Sequence, residues 1–255
     1  MTERPLILIT NDDGVSSRGI AALAEVAAER ADVIVVAPDG AYSGKSHSIT
    51  VMDELRTRRA ECGGVSECYA VKGTPVDCVK LGYYGLAKRR PTLLLSGINH
   101  GSNTSVSVHY SGTAGAAREG ALLGLTSCAI SLADYSPEAD MEAAKRVAGA
   151  IIDKLLDPSV RLKAGLMLNV NIPAGEVKGI RCAAMAMGRW VETPYHHTTV
   201  FGEELYWLDG KFEEIASGDT MTDEKLIQRG YAALTPILVD VTDRGAMEEC
   251  KIFEQ

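Results

Sequence analysis

Asp12 and Asp13 stand side by side in LILITNDDGVSS, residues 6 to 17, directly after the apolar residues Leu6, Ile7, Leu8 and Ile9. Leu6–Thr10 has no polar alternation and is rich in residues that fit a sheet, so it reads as a buried strand. Two carboxylates at the end of such a strand repel each other unless something cationic sits with them. Two further polar clusters follow apolar runs. Ser43 lies in APDGAYSGKSHS after VIVVA, and Asn99 and Asn103 lie in SGINHGSN after TLLLS. Carboxylates, a hydroxyl and an amide oxygen are hard donors, and such a set, completed by water, suits Mg²⁺ or Mn²⁺. Ordinary readings run alongside: Asx-Gly at a strand end is a common turn, Asp12 could cap the next helix, and Asn99 could be a turn residue before Gly101. What joins the clusters is a shared place, because ligands of open parallel sheets gather beyond the carboxyl ends of the strands.

A fourth stretch, HYSGTAGAAREGALLG at residues 109 to 124, has the form of an anion site. Ser111, Gly112 and Thr113 open a helix whose first turns are Ala and Gly, leaving backbone N–H groups and the helix dipole free for a phosphate. Equally, Ser or Thr is the preferred N-cap of any helix, and small residues permit close packing. A metal site and an anion site in one chain point to phosphoryl transfer or hydrolysis. His47, His100 and His109 flank the clusters; each reads first as a loop residue with a local hydrogen bond, and assistance to proton transfer is the alternative. Lys45, beside Ser43, could reach an anionic substrate. His196-His197 reads as surface, and Lys88-Arg89-Arg90 as a solvated helix end.

The elements that must position these groups alternate. Helical spacing covers Gly19–Ala31, a second buried strand Val33–Ala37, a third strand His47–Met52 and a short fourth Tyr69–Val71. Thr74 as N-cap, Pro75 and Asp77 start a helix running towards Leu86. Thr92–Ser96 is a strand, Thr113–Leu123 a small-residue helix, Ser127–Leu132 a strand, Pro137–Leu156 a helix and Leu166–Asn171 a strand. This rhythm predicts an α/β fold, a Rossmann-like mostly parallel sheet with helices on both faces. After about residue 175 the rhythm gives way to hairpin-like stretches, then a short helix, a glycine stop and a last strand interrupted by Pro236. The expected organisation is a single domain over 1–255, with a core at 1–175 and a C-terminal β-rich excursion at 176–255.

Composition narrows the partners. The chain has 255 residues, 46% hydrophobic and only 5% aromatic, so its core is built from Ala, Val, Ile and Leu. A net charge of −8 argues against wrapping a nucleic-acid polymer, which needs clustered cations. The N-terminal apolar run is too short for a signal core or a membrane span. Cys62, Cys68, Cys78, Cys128, Cys182 and Cys250 contain no C-x-x-C pair and read as free thiols of a reduced compartment, the cytoplasm.

ITNDDG, VVAPD…SG…SIT, KGTPVDCV, SGINHGSN, YSGTAGAAREG and LNVNIP, in this order, resemble the SurE family, the stationary-phase survival proteins that act as 5′-nucleotidases; the likeness resumes in TDEKLIQRGYAALTPI. The resemblance implies a phosphomonoesterase that uses one divalent metal ion, Mg or Mn, per subunit. It cleaves nucleoside 5′-monophosphates, and in some members 3′-nucleotides or short polyphosphate. By the same resemblance, Asp12, Asp13, Ser43 and Asn99 hold the metal, with Asp12 and Asp13 catalytic, and Ser111, Gly112, Thr113 and Asn103 bind the phosphate. Three hypotheses for the chemical step stay open: attack on phosphorus by water activated at the metal, attack by the Asp12 carboxylate, or Asp12 acting as a general base. It further implies a Rossmann-like core whose C-terminal segment is exchanged in homodimers or homotetramers. Residues 188 to 212 match the family pattern poorly apart from Tyr206–Leu208.

Other readings meet specific obstacles. A haloacid-dehalogenase-type phosphatase needs its nucleophile two residues before Asp13, where Asn11 stands. A receiver-like module needs an aspartate where LSGIN ends its strand. A dinucleotide-binding dehydrogenase needs G-x-G-x-x-G after the first strand, where this chain has two carboxylates. A non-catalytic nucleotide-binding protein remains open.

Overall fold

In the computed structural model, residues 4–215 and 218–254 are described. The strands are β1 (Leu6–Thr10), β2 (Asp32–Pro38), β3 (Arg56–Arg59), β4 (Glu67–Lys72), β5 (Leu93–His100), β6 (Thr126–Ala133), β7 (Leu166–Pro173), β8 (Ile180–Cys182), β9 (Gly188–Thr198), β10 (Glu204–Glu214) and β11 (Ala232–Leu238). The α-helices are α1 (Arg18–Ala28), α2 (Pro75–Leu81), α3 (Gly112–Leu122), α4 (Glu142–Leu155), α5 (Asp223–Gln228) and α6 (Met247–Cys250). Nine strands form one sheet in the order β3-β4-β2-β1-β5-β6-β7-β11-β8. Its centre, from β4 to β7, is parallel, whereas β3 and β11 run antiparallel to their neighbours β4 and β7.

The unbroken apolar run of β1 is explained by burial on both faces. Ile7 and Ile9 face α1 and α4 in a cluster with Ile20, Leu23, Val147 and Ile152. Leu6 and Leu8 face the other way, with Val36, Cys78, Val79 and Leu94. Ala114, Ala117 and Ala121 of α3 pack on Ala129 and Met167. Small residues bring that helix close to the sheet: a Cβ on Gly120 would lie 2.3 Å from Leu94.

The predicted α/β class and helices on both faces are found. Three local expectations differ, and one strand was not expected. His47–Met52 is loop, not strand, because its backbone groups are taken by side chains. Thr50 N donates to Asp77 Oδ1 at 2.9 Å, and Thr74 Oγ1 donates to the Ser48 carbonyl at 2.8 Å. The edge strand in that region is β3, whose sequence RTRR is wholly exposed; it carries no apolar alternation to announce it, and its charges protect the sheet edge. The helix at Pro75 ends at Leu81 and continues as a π-helical turn, Gly82–Leu86. Helix α4 starts at Glu142, after a turn in which Asp140 Oδ1 accepts from Glu142 N at 2.9 Å.

The sheet does not end near residue 175. β11 returns to pair with β7, and β8 pairs with β11. Between them β9 and β10 form a separate eleven-pair antiparallel hairpin that is exposed over most of its length. All six cysteines are free; Cys62, Cys68, Cys78 and Cys128 are buried, while Cys182 and Cys250 are exposed. Lys88 and Arg89 follow the end of the π-helical turn and pair with strand residues, at 3.2 Å from Glu67 and 2.6 Å from Asp32. Among the described residues no helix is long and apolar enough to cross a membrane.

Asp77 joins local and tertiary structure. It completes a capping box with Thr74, and its carboxylate also accepts from Thr50 N and from Thr50 Oγ1 at 2.6 Å. Asp77→Ala removes its half of the capping box and leaves the Thr74 N and Thr50 donors without their acceptor, so urea denaturation should show a loss of about 2–4 kcal/mol. A loss below about 0.5 kcal/mol, the ordinary surface range, would contradict this account.

Candidate active site

β1 lies between β2 and β5, so the chain leaves the sheet in opposite directions on either side of it. The seam between β1 and β5 is the place where such sheets open a crevice beyond the carboxyl strand ends. Asp12 and Asp13 follow β1, and Asn99 is the penultimate residue of β5. Gly97 gives that strand its irregular end: it has φ +137°, and a Cβ there would lie 2.2 Å from the Ile130 carbonyl oxygen. The pairing of β5 with β6 shifts register between Ser96 and Asn99.

Asp12 is buried, 4% exposed. It does not cap α1; Ser17 does that, accepting from Ile20 N. Asp12 points instead to the start of α3, where Thr113 N donates to its Oδ2 at 3.1 Å and the Thr113 hydroxyl donates to its Oδ1. Gly112 permits the approach, since a Cβ on it would lie 2.9 Å from Asp12 Cβ. Burial pushes the Asp12 carboxyl up to about 6 from 3.8; the Thr113 bonds oppose that and the neighbouring Asp13 charge adds to it. Asp13 Oδ2 accepts from His100 N at 3.1 Å and lies 3.1 Å from His100 Nδ1.

Asn99 donates from Nδ2 to the carbonyls of Gly101 at 2.7 Å and His100 at 3.2 Å, which leaves its side-chain oxygen as the group available to a ligand. Ser43 sits on the loop after β2 and is exposed. Ser111 is the N-cap of α3, accepting from Ala114 N at 3.0 Å and keeping its own hydroxyl proton to donate. Asn103 is held by Asn171, whose Oδ1 accepts from its N at 2.7 Å, by Ser131 and by Asn169.

One cavity of about 500 Å³ gathers Asp12, Ser43, Asn99, His100, Asn103 and Ser111. Asp13 opens on an adjoining cavity that shares His100 and Tyr135 with it. Gly112 and Thr113 stand behind Ser111 against Asp12 and are not on the wall. Lys45 is also outside the lining; His47 lies against Glu119, and His109 contributes its carbonyl to Ser46. Sequence reasoning missed Tyr110, Tyr135, Trp190 and Glu192, which form the outer wall. Trp190 and Glu192 come from β9, in a stretch without any motif. The positioning role of Asn169 and Asn171 had one signal, two amides inside the apolar run of β7. A separate cavity of about 400 Å³, at the amino ends of β1 and β2, has charged groups engaged in ion pairs such as Arg89–Asp32.

The donor set fits a hard dication. Among the described residues no Lys or Arg pairs with Asp12 or Asp13, and the buried carboxylate has Thr113 and its own backbone N–H, but no cation, to stabilise its charge. No group of three or more His, Cys, Asp and Glu side chains converges among the described residues. The available oxygens are two carboxylates, a hydroxyl and an amide, the chemistry of Mg²⁺ or Mn²⁺ sites that retain water.

The family model described as "Survival protein SurE" matches residues 7–192. The chain belongs to the SurE family. A "5'-nucleotidase SurE" of Christiangramia forsetii is 42% identical to it, covering 94% of this chain and 93% of the relative. One of Flavobacterium johnsoniae is 40% identical, covering 99% and 98%. The crystal structure of the SurE protein from Aquifex aeolicus superposes with a TM-score of 0.84 at 34% identity, covering 98% of this chain and all of that one. The SurE resemblance carried by the six sequence motifs is therefore sound over nearly the whole chain.

The Asp12 shift has a consequence for this SurE family member when no metal is added. The folded state binds the Asp12 proton more tightly than the unfolded state, so that extra stability is present below about pH 4 and is lost as pH rises through about 6. The loss is about 3 kcal/mol for a shift of about two units. Asp12→Asn stays neutral throughout, so the difference between wild type and variant in urea unfolding should change by that amount across the window. A constant difference from pH 4 to 7 would refute the assignment, and Mn²⁺ at pH 7 should recover stability in the wild type only.

Proposed function

We propose that the chain is a nucleotidase, hydrolysing nucleoside 5′-monophosphates to nucleoside and phosphate, with 3′-nucleotides and short polyphosphate as further substrates. The observation that carries this reading is the joining of Asp12, Ser43, Asn99, Asn103 and Ser111 on one cavity, in a chain whose relatives at about 40% identity are named 5′-nucleotidase. Asp12, Asp13, Ser43 and Asn99 would hold one divalent ion, Mg²⁺ or Mn²⁺, per subunit. When bound, that ion supplies Lewis-acid polarisation of the phosphoryl group and offsets its charge.

The chain's own groups do the rest. Thr113 fixes the Asp12 carboxylate with two hydrogen bonds, and Gly112 admits it to the helix start. His100 fixes Asp13. The Ser111 hydroxyl and the Asn103 amide offer donors to phosphate oxygens, where negative charge is spread in the transition state. Of the expected phosphate set, Ser111 and Asn103 are thus direct contacts in this mechanism, and Gly112 and Thr113 act through Asp12. Attack by the Asp12 carboxylate itself would leave an acyl phosphate on the protein, which acid quench of turnover with radiolabelled AMP would trap; attack by water would leave none.

We read residues 1–255 as one domain working in the cytoplasm as a homodimer or homotetramer. Free cysteines are in keeping with that compartment. The exposed apolar side chains of the hairpin, among them Val200, Phe201, Tyr206 and Trp207, support assembly.

The deciding measurement is phosphate release from AMP by purified protein with Mn²⁺ or Mg²⁺, then with excess EDTA. Release should stop with the chelator and with Asp12→Asn, and Ser111→Ala should lower kcat by about 100-fold, as for loss of one donor to a developing oxyanion. No release from any nucleoside monophosphate with either metal would leave a nucleotide-binding protein as the better account.

A further inference from the structure

Ser43 is an exposed hydroxyl on the loop between β2 and β3, and among the described residues its side chain makes no hydrogen bond. Its position is therefore dictated by its neighbours. Before it, Tyr42 N donates to the Asp12 carbonyl at 2.7 Å. After it, Ser46 N donates to the Tyr110 carbonyl at 2.9 Å and Ser46 Oγ to the His109 carbonyl at 2.6 Å. Gly115 of α3 allows that contact, since a Cβ there would lie 2.3 Å from the Ser46 carbonyl oxygen. Next comes His47, whose Nε2 lies 2.9 Å from Glu119 Oε2.

Glu119 is an unusual residue to find there. Its carboxylate projects from the middle of α3 and is only 8% exposed, with Lys80 Nζ of α2 2.7 Å from its other oxygen. A buried carboxylate is costly unless it is paired and hydrogen-bonded. Here one carboxylate joins three pieces of chain: α2, α3 and the Ser43 loop. Arg118 beside it does not share the work; its Nε is buried with no hydrogen-bond partner among the described residues.

We infer that the His47–Glu119–Lys80 cluster is a clamp that fixes the Ser43 loop against α3, making His47 and Glu119 positioning residues for metal binding. The inference rests on the reading of Ser43 as a metal ligand. Neither residue lines the cavity, so both act through the loop.

The test is Mn²⁺ affinity of the full chain, measured by electron paramagnetic resonance of free Mn²⁺ without substrate, in wild type, Ser43→Ala, His47→Ala and the double variant. His47→Ala leaves the Glu119–Lys80 pair intact and lies on a loop, so it keeps the fold, with the thermal midpoint as the check. It should weaken Mn²⁺ binding about tenfold, as loss of an outer partner of a metal ligand does. The double variant should bind no more weakly than Ser43→Ala alone, because both changes remove the same contribution. Hydrogen exchange of residues 42–50 should quicken in His47→Ala, and Glu119→Gln should weaken Mn²⁺ binding in the same direction.

Unchanged Mn²⁺ affinity in His47→Ala, with Ser43→Ala weakened, would overturn the clamp and leave Ser43 as a ligand. Unchanged affinity in Ser43→Ala would overturn the ligand reading itself. Additive losses in the double variant would show His47 acting by another route, which also overturns the proposal.

Discussion

The contact between the Asp12 carboxylate and the first turn of α3 is the constraint on which the site depends. A carboxylate at the end of a doubly covered strand loses most of its water, and Asp13 beside it adds repulsion. Two donors from Thr113 offset part of this, and the remaining effect leaves Asp12 protonated more readily than an ordinary aspartate. A dication removes both penalties together, whereas a lysine or arginine would neutralise the pair and leave nothing for a substrate. The neighbouring residues follow from the Asp12 contact. Residue 112 must be glycine for α3 to approach, and Tyr42 ties the next loop to the Asp12 backbone.

The same demand for satisfied polar groups explains the apolar sheet's internal amides. Asn169 and Asn171 would be misplaced in a purely structural β7. Here their side chains bond the backbone of Asn103, and Ser131 on β6 takes its Nδ2. The loop carrying Asn103 is thereby built on two adjacent strands, giving it the rigidity of the sheet. Ser43 is at the opposite extreme, on a loop that crosses no strand and is held by side chains from two helices.

This contrast also accounts for what could be read from the residues alone. β1, β2, β5, β6 and β7 announce themselves because burial on both faces removes polar alternation, and the polar clusters follow at their ends. The capping box at Thr74 and Asp77 was equally legible as a helix start. What it did not reveal was that Asp77 also binds Thr50, and that interaction is why His47–Met52, with alternating polar and apolar residues, is loop instead of strand. Thr113 was legible as part of a helix opening, but not as the partner of Asp12, since nothing local records which group lies across a helix terminus. The wall from Trp190 and Glu192 was invisible because a long hairpin exposed on both faces has no periodicity to place it.

A helix N-terminus can hold an anion from solution or an anion from its own chain, and the two uses compete for the same N–H groups. In α3 the Thr113 N–H is given to Asp12, and Ser111 takes the Ala114 N–H. On the proposed function, a substrate phosphate would therefore meet side-chain donors and a cation at this helix end, in place of a ring of bare amides. On the proposed reading that arrangement would make phosphate binding conditional on the metal: without the ion an anionic substrate would face two carboxylates, and with it the same carboxylates would hold the charge that attracts the substrate. On that reading the adjacent aspartates would be the element that couples metal occupancy to substrate recognition.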